Sequence, residues 1–498
     1  MPINTNELKR LKEARIANWP HPDDDLYKKM GATHEELAQL ELAFQGKIVL
    51  PTDPDYDKDR QGNPLYPANP KIIAYCQVFS DVGLALSWAH EKEDWAVTCR
   101  SGGHSTAGFS VNNGMVLDVS QINHVLIDKN KMQARVGSGA NWGQVIAELT
   151  ANQVHTVTGG CPGVGVAGYT MGGGYGFTSR EFGMSSDTVL EMTVMLANGN
   201  IVVANKTNEY ADLFWALRGG TGNNFGVLLE IVFQLYDAHL FWGFGIRWSL
   251  DDAPQALTIM QSEFMKSGAP KELGYQTVVA TMKDDSKALA MLGMFNGSPE
   301  TGKAVLKPLL ATPGATLFFD AVDTYANLNR SLLDDNLHPP AADLVEFKHA
   351  GYIARPISTS EWAQVIQYFQ TAPNLYNIMV IEPYGGAINA VPASNSAFIH
   401  RNVYMDFFAD SFFNEKGNIT TRKEAEQWLQ GFMNLTATFF NGRRYQNYPV
   451  RGFAGYRQAF WGDAFNDLLR IKNKYDPQNF FHFEQSISPY PADNEGYN

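Results

Sequence analysis

Up to about residue 239, short apolar runs alternate with polar and glycine-rich stretches; beyond it the apolar segments lengthen and glycine clusters thin out. The first 30 residues are polar and proline-containing and predict a surface arm. Thr33-His-Glu-Glu36 is a capping box, and Leu37, Leu40 and Phe44 follow at helical spacing until Gly46 ends the helix. Strands at 47–50, 71–76 and 95–99 flank a Pro/Asp-rich loop at 51–70 and a helix at 80–91. The last three elements make a β-α-β unit. Further strands are predicted at 115–119, 124–127 and 133–136, then a turn at Gly137-Ser-Gly139 and a helix at 142–150. Asn198-Gly199 is a hairpin signal between strands at 189–196 and 200–204. A helix at 211–217 and a β-rich run at 227–235 close this half.

After residue 240, strand-like segments at 241–248, 274–280, 290–295, 344–348 and 397–408 alternate with helices at 254–265, 301–310 and 358–370. That order predicts a large sheet covered by helices on one face. Two more helices follow at 421–438 and 460–472, with Asp476-Pro477 as a stop. The fold class is α+β.

Composition narrows the function. A chain of 498 residues exceeds one hydrophobic core, so two or three lobes are expected. A net charge of −13 speaks against nucleic acid or an anionic membrane surface as partner. Cys76 and Cys99 sit in apolar runs and read as buried thiols, whereas glycines flank Cys161. No apolar run reaches the ~18 residues a spanning helix needs. The N-terminus lacks the apolar core of a secretory signal, so the chain reads as cytoplasmic, or as a secreted form whose start has been replaced.

The chemistry concentrates between residues 100 and 226. Four glycine clusters lie there: Arg100-Ser101-Gly102-Gly103-His104, Gly159-Gly-Cys161-Pro-Gly-Val164-Gly165, Gly172-Gly173-Gly-Tyr175-Gly176 and Arg218-Gly-Gly-Thr-Gly-Asn-Asn-Phe-Gly226. Glycines let backbone amides close around a large polar ligand. The phosphate-loop Gly-x-x-x-x-Gly-Lys, a dinucleotide fingerprint with its ribose-binding acid, Gly-x-Ser-x-Gly and paired-histidine metal motifs are all absent. What remains is an organic cofactor held by backbone, with His104 and Cys161 in its path and no metal. Neutral imidazole and thiolate are side-chain nucleophiles available near neutral pH.

These clusters, the run to Gly168, and the C-terminal Tyr475-Asp-Pro-Gln-Asn-Phe-Phe-His-Phe-Glu-Gln-Ser-Ile487 resemble the berberine-bridge-enzyme-like branch of the vanillyl-alcohol-oxidase (PCMH-type) flavoproteins, from about Asn69 to Pro489. The resemblance implies a two-lobed FAD-binding fold. Its parts would be an FAD-binding region at 1–239, a substrate domain at 240–440 with a large antiparallel sheet, and a return to the FAD-binding domain at 441–498. It implies FAD bonded twice, through His104 to the 8α-methyl and through Cys161 to carbon 6, with Arg100, Ser101, Gly102, Gly103, Gly165, Gly168, Gly172, Gly173 and Asn447 around it. Val164 stands where the family has an oxygen gatekeeper, and a valine there resembles the oxygen-reactive oxidases. Tyr445, in Tyr-Gln-Asn447-Tyr, matches the tyrosine that takes a substrate hydroxyl proton, and Tyr175 a second active-site tyrosine. His400-Arg401-Asn-Val-Tyr404-Met-Asp406 resembles a strand ending in a substrate-facing residue; Asp406 is preferred as a modulator of Tyr445, with Tyr404 the alternative if the register slips by one.

The implied activity is an FAD-dependent oxidase. It would take hydride from a hydroxyl-bearing carbon of a sugar, an oligosaccharide or a natural-product secondary alcohol, and reduce O2 to H2O2. The partners would be a small polyol or alcohol and O2. The alternatives are an amine or alkaloid oxidase or oxidative cyclase of the same fold, and a flavin-bearing binding protein with little turnover.

Overall fold

The computed structural model describes residues 5–489 apart from 93–94, 266–267 and 334–336. Near the N-terminus, Lys47–Val49, Ile72–Tyr75, Met115–Asp118 and Val97–Arg100 lie side by side in that order. The predicted β-α-β unit is present, with its helix at Phe79–His90, but its two strands do not pair. Met115–Asp118 runs parallel to both and separates them. A second, antiparallel sheet holds Val125–Asp128, Gln133–Gly137, Val227–Gln234, Val189–Met195 and Ile201–Asn205. Gly199, at φ 80°, makes the predicted hairpin turn.

The large sheet has seven antiparallel strands in the order Thr316–Asp323, Phe241–Ser249, Lys287–Phe295, Leu273–Thr281, Ile378–Pro383, Met405–Phe413, Val345–Ile353. Because side chains alternate along a strand, the sheet has two distinct faces. One face (Tyr275, Val279, Leu289, Met291, Met379, Ile381, Phe407) packs under the helices Ala253–Ile259, Thr359–Phe369 and Arg422–Thr436, which contribute Leu257, Trp362, Ile366, Trp428 and Phe432. The other face carries Val278, Ala280, Ala290, Leu292, Val380 and Phe408 into the core shared with the first half of the chain. The C-terminal segment also packs on that half. Trp461 Nε1 donates to Gly219 O (2.9 Å), and buried Lys472 donates to Asn224 O (2.6 Å).

Several predicted elements are corrected. The N-terminal arm is helical at Thr5–Ile16 and Asp25–Met30. It is anchored by charge, with buried Lys12 on Glu41 O (2.8 Å) and Arg15 on Glu41 (2.9 Å) and Asp53 (2.7 Å), which an apolar periodicity does not register. The strand predicted at 397–408 is Met405–Phe413. The residues before it bond to a loop instead: Ala397 N donates to Trp215 O, Phe398 N donates to Arg218 O, and Arg401 grips both Asp187 carboxylate oxygens (2.6 and 2.7 Å). The strands Thr316–Asp323 and Ile378–Pro383 and the helix Tyr325–Leu333 went unpredicted. The helices expected at 254–265, 301–310 and 460–472 are each interrupted: by a π-helical turn at Met260–Phe264, a break at Leu306, and Gly462 at φ 50°.

Candidate active site

The glycine loops and the inner face of the large sheet enclose a cleft of about 620 Å³. On the first wall, the strand Val97–Arg100 ends in the loop bearing Ser101, Gly102, Gly103 and His104. Gly102 and Gly165 pack backbone to backbone: a Cβ on Gly102 would sit 2.3 Å from Gly165 N, and one on Gly165 2.3 Å from Ser101 Oγ. Only glycine permits that approach. It brings the His104 loop beside the Cys161 loop, where a Cβ on Gly163 would lie 3.0 Å from His104 Nε2. Gly168 has no atom within 4 Å of where its Cβ would be and opens onto the cleft. Thr221 (φ 68°) and Asn223 (φ 59°) turn the last loop into the wall. Asn223 accepts from Cys99 N (2.8 Å) and donates to Thr98 Oγ1 (3.0 Å), fixing that loop to the strand end.

The two nucleophile candidates differ from the other thiols. Cys161 is exposed in the cleft wall, whereas burial pushes the Cys76 thiol up and the Cys99 thiol up to about 12. His104 presents its ring to the cleft; desolvation lowers its pKa against a smaller opposing pull from Glu346, so the imidazole is neutral at pH 7.

Tyr445 is buried (2% exposed) and reaches the cleft beside Asn447. Its hydroxyl oxygen accepts from Gly174 N (2.8 Å) and from Asn447 Nδ2 (3.0 Å), and Asn447 also donates to Tyr169 O (2.9 Å). Burial, with the Glu382 carboxylate, raises its pKa; the two N–H donors act the other way by stabilising a phenolate. Tyr175 stacks on Tyr384 (5.8 Å, 10°) and its hydroxyl donates to Pro383 O (3.0 Å), so the cleft meets its ring.

Four predicted site residues do not line the cleft. Arg100 points its guanidinium away, onto Asp118 (2.5 Å) and Asp59 O (2.7 Å), and anchors the strand end. Gly172 and Gly173 make room: a Cβ on Gly172 would meet Asn447 Oδ1 at 1.9 Å, and one on Gly173 the Phe398 ring at 2.6 Å. Asp406 lies behind the cleft surface, fully buried, paired across strands with Glu382. Neither Asp406 oxygen has a hydrogen-bond partner; burial first and Glu382 second raise its pKa well above the usual carboxyl range. Tyr404 precedes the strand and packs on the helix side of the sheet.

The sheet wall adds residues that the sequence reading did not single out. Glu382 Oε1 accepts from Gln276 Nε2 (3.0 Å) and from the Tyr448 hydroxyl (3.2 Å), and burial raises the Glu382 carboxyl to about 7. Lys348 pairs with Asp410 (2.5 Å) and Glu346 (3.2 Å), and its ammonium sits 3.9 Å from the Phe408 ring centre and 4.9 Å from that of Tyr448. Burial opposes that charge, and the two carboxylates outweigh it. Glu346 and Lys348 at alternating positions of a predicted strand were a legible signal; Glu382 lay in a strand that went unpredicted.

Among the described residues no group of three His, Cys, Asp or Glu is arranged to hold a metal ion, and no helix is long and apolar enough to cross a membrane. The amide wall, closed to any Cβ at Gly102 and Gly165 and lined by aromatic rings, fits a flat dinucleotide cofactor such as FAD.

Comparison with known proteins points the same way. Residues 70–205 match the FAD binding domain and residues 444–488 the domain described as berberine and berberine like. The FAD-linked oxidoreductase YgaK of Bacillus subtilis is 28% identical, over 89% of this chain and 97% of its own. A chitooligosaccharide oxidase of Gibberella zeae is 28% identical, over 85% of this chain and 88% of its own. The solved structure of BBE-like 1 from Physcomitrella patens superposes with a TM-score of 0.82 at 25% identity, covering 91% of this chain and 99% of that one. The chain is an FAD-linked oxidoreductase with an FAD binding domain and a berberine-like domain, and it resembles the berberine-bridge-enzyme-like proteins.

Proposed function

We propose that this oxidoreductase is an alcohol oxidase. It takes hydride from a hydroxyl-bearing carbon, passes the electrons to O2 and releases H2O2. The carrying observation is Tyr445, a buried hydroxyl at the cleft surface that accepts two N–H hydrogen bonds. Bound FAD supplies the hydride acceptor. Tyr445 receives the substrate hydroxyl proton, and Gly174 N–H and Asn447 Nδ2 stabilise the phenolate oxygen until it does. His104 and Cys161, in neighbouring loops of one wall, are the proposed covalent posts, and Val164, beside them in the same wall, the proposed oxygen gate. Ser101, Gly102, Gly103, Gly165 and Gly168 shape the cofactor wall. We read the chain as an FAD-binding region at 1–239, a substrate domain at 240–440 and a returning segment at 441–498, in keeping with the contacts from Trp461 and Lys472.

The chitooligosaccharide oxidase relative keeps sugars among the substrate candidates, beside natural-product alcohols. An amine oxidase would use a carboxylate base, and Glu382 is the carboxylate nearest the tyrosines. Its Oε1 already accepts from Gln276 and Tyr448, and its Oε2 is buried, which disfavours that role. Anaerobic addition of alcohols, sugars and amines tests the proposal. Bleaching of the yellow protein by a hydroxyl compound, followed by peroxide release on admitting air, is the expected result. Bleaching by amines alone would contradict it.

A further inference from the structure

Strand register sorts the sheet wall into rows. One row runs Ala290–Val278–Val380–Phe408–Ala350 across five strands and is apolar throughout. A second runs Leu292–Gln276, then Glu382–Asp406–Tyr352, joined by the Gln276 to Glu382 hydrogen bond of 3.0 Å. A third carries Ile378–Asp410–Lys348. Within these two rows Lys348 takes Asp410 and Glu346, and one Glu382 oxygen takes Gln276 and Tyr448. The remaining Glu382 oxygen and both Asp406 oxygens are shielded from the cleft. Beyond these paired groups, what the wall offers a ligand is apolar: Val278, Leu292, Ile378, Val380 and Phe408, with Leu333 closing the side toward Gly160.

An oligosaccharide bears a hydroxyl on nearly every carbon, and each one buried without a partner weakens binding. Sugar sites meet that demand with unpaired polar side chains and flat indole platforms, yet no tryptophan lines this cleft and its sheet-side polar groups are already paired. Resting on the alcohol-oxidase reading above, we infer that the substrate is an alcohol whose hydroxyl-bearing carbon belongs to an apolar ring skeleton. The skeleton lies on the Val278–Val380 row with the hydroxyl toward Tyr445.

The test uses the flavin-loaded protein and two probe sets of equal size: 1-indanol, carveol and a monohydroxylated steroid against glucose, cellobiose and xylobiose. Two readouts are taken, the flavin absorbance change on binding to Tyr445→Phe and anaerobic bleaching of the unmodified protein. Expected are saturable binding and bleaching by at least one apolar alcohol, with kcat/KM 100-fold or more above any sugar, and a roughly tenfold rise in its KM in Ile378→Thr. A sugar bleaching with equal or greater kcat/KM overturns the inference and leaves the alcohol-oxidase reading standing. Binding of apolar alcohols without bleaching by any hydroxyl compound overturns that reading while upholding the apolar site. No binding by any of the apolar alcohols overturns the inference.

Discussion

The amide wall between Gly102 and Asn223 and the sheet wall between Gln276 and Asp410 face each other across one cleft, yet they are made in different ways. The first is backbone, shaped by places where a side chain cannot fit, such as the 2.3 Å approach of Gly102 to Gly165. The second is side chains delivered in rows by antiparallel register, each strand contributing one residue per row. A backbone wall suits a constant cofactor, because amides are available whatever the residue. A side-chain wall can be altered residue by residue without disturbing the cofactor, so specificity and proton chemistry are expected to reside there.

The division can be broken at the point where the walls meet. Tyr445→Phe removes the oxygen that Gly174 N–H and Asn447 approach while leaving the amide wall intact. Turnover is expected to fall about 10²–10⁴-fold, with flavin content unchanged by absorbance per protein. A parallel loss of flavin would show that the two walls are not separable. Next in size is Trp362→Ala, on the helix-covered face of the sheet. Trp362 is fully buried, so chemical denaturation is expected to report a loss of about 3–5 kcal/mol. Flavin binding by the folded fraction should persist.

The smallest effect sharpens the electrostatics of the sheet wall. Glu382 is raised by burial from an ordinary carboxyl value to about 7, so the folded protein holds its proton more tightly than the unfolded chain does. The stability it contributes is fully present below about pH 4.3, the unfolded value, and is lost as pH rises toward 7. Glu382→Gln is therefore expected to flatten the decline in Tm between these limits. A decline as steep as in the unmodified protein would show that Glu382 does not carry that proton.

The same contrast explains what could be read from the chain. The amide wall was legible because its demands fall on residue type within a few positions: Gly102 and Gly165 announce close backbone approach wherever they are packed. Gly172 and Gly173 announced it too, but their neighbours are Asn447 and Phe398, over 200 positions away, so the motif could not say that they face away from the cleft. Arg100 sits in the right motif and turns its side chain to Asp118, its partner on the neighbouring parallel strand, a pairing the motif does not specify. The helix-covered sheet followed from element order. Its rows did not, because Glu382 meets Asp406 only through a strand pairing that local pattern leaves open. Asp406 lies on the inner face and Tyr404 on the helix side, and the burial of Asp406 behind Glu382 depends on a strand the periodicity missed.

The most direct test of the cofactor wall is proteolytic mapping of the acid-precipitated protein by mass spectrometry. The account predicts a yellow pellet in which the peptides bearing His104 and Cys161 are joined through one FAD, and in Cys161→Ala a flavin held by the His104 peptide alone. A colourless pellet with both peptides unmodified would contradict it.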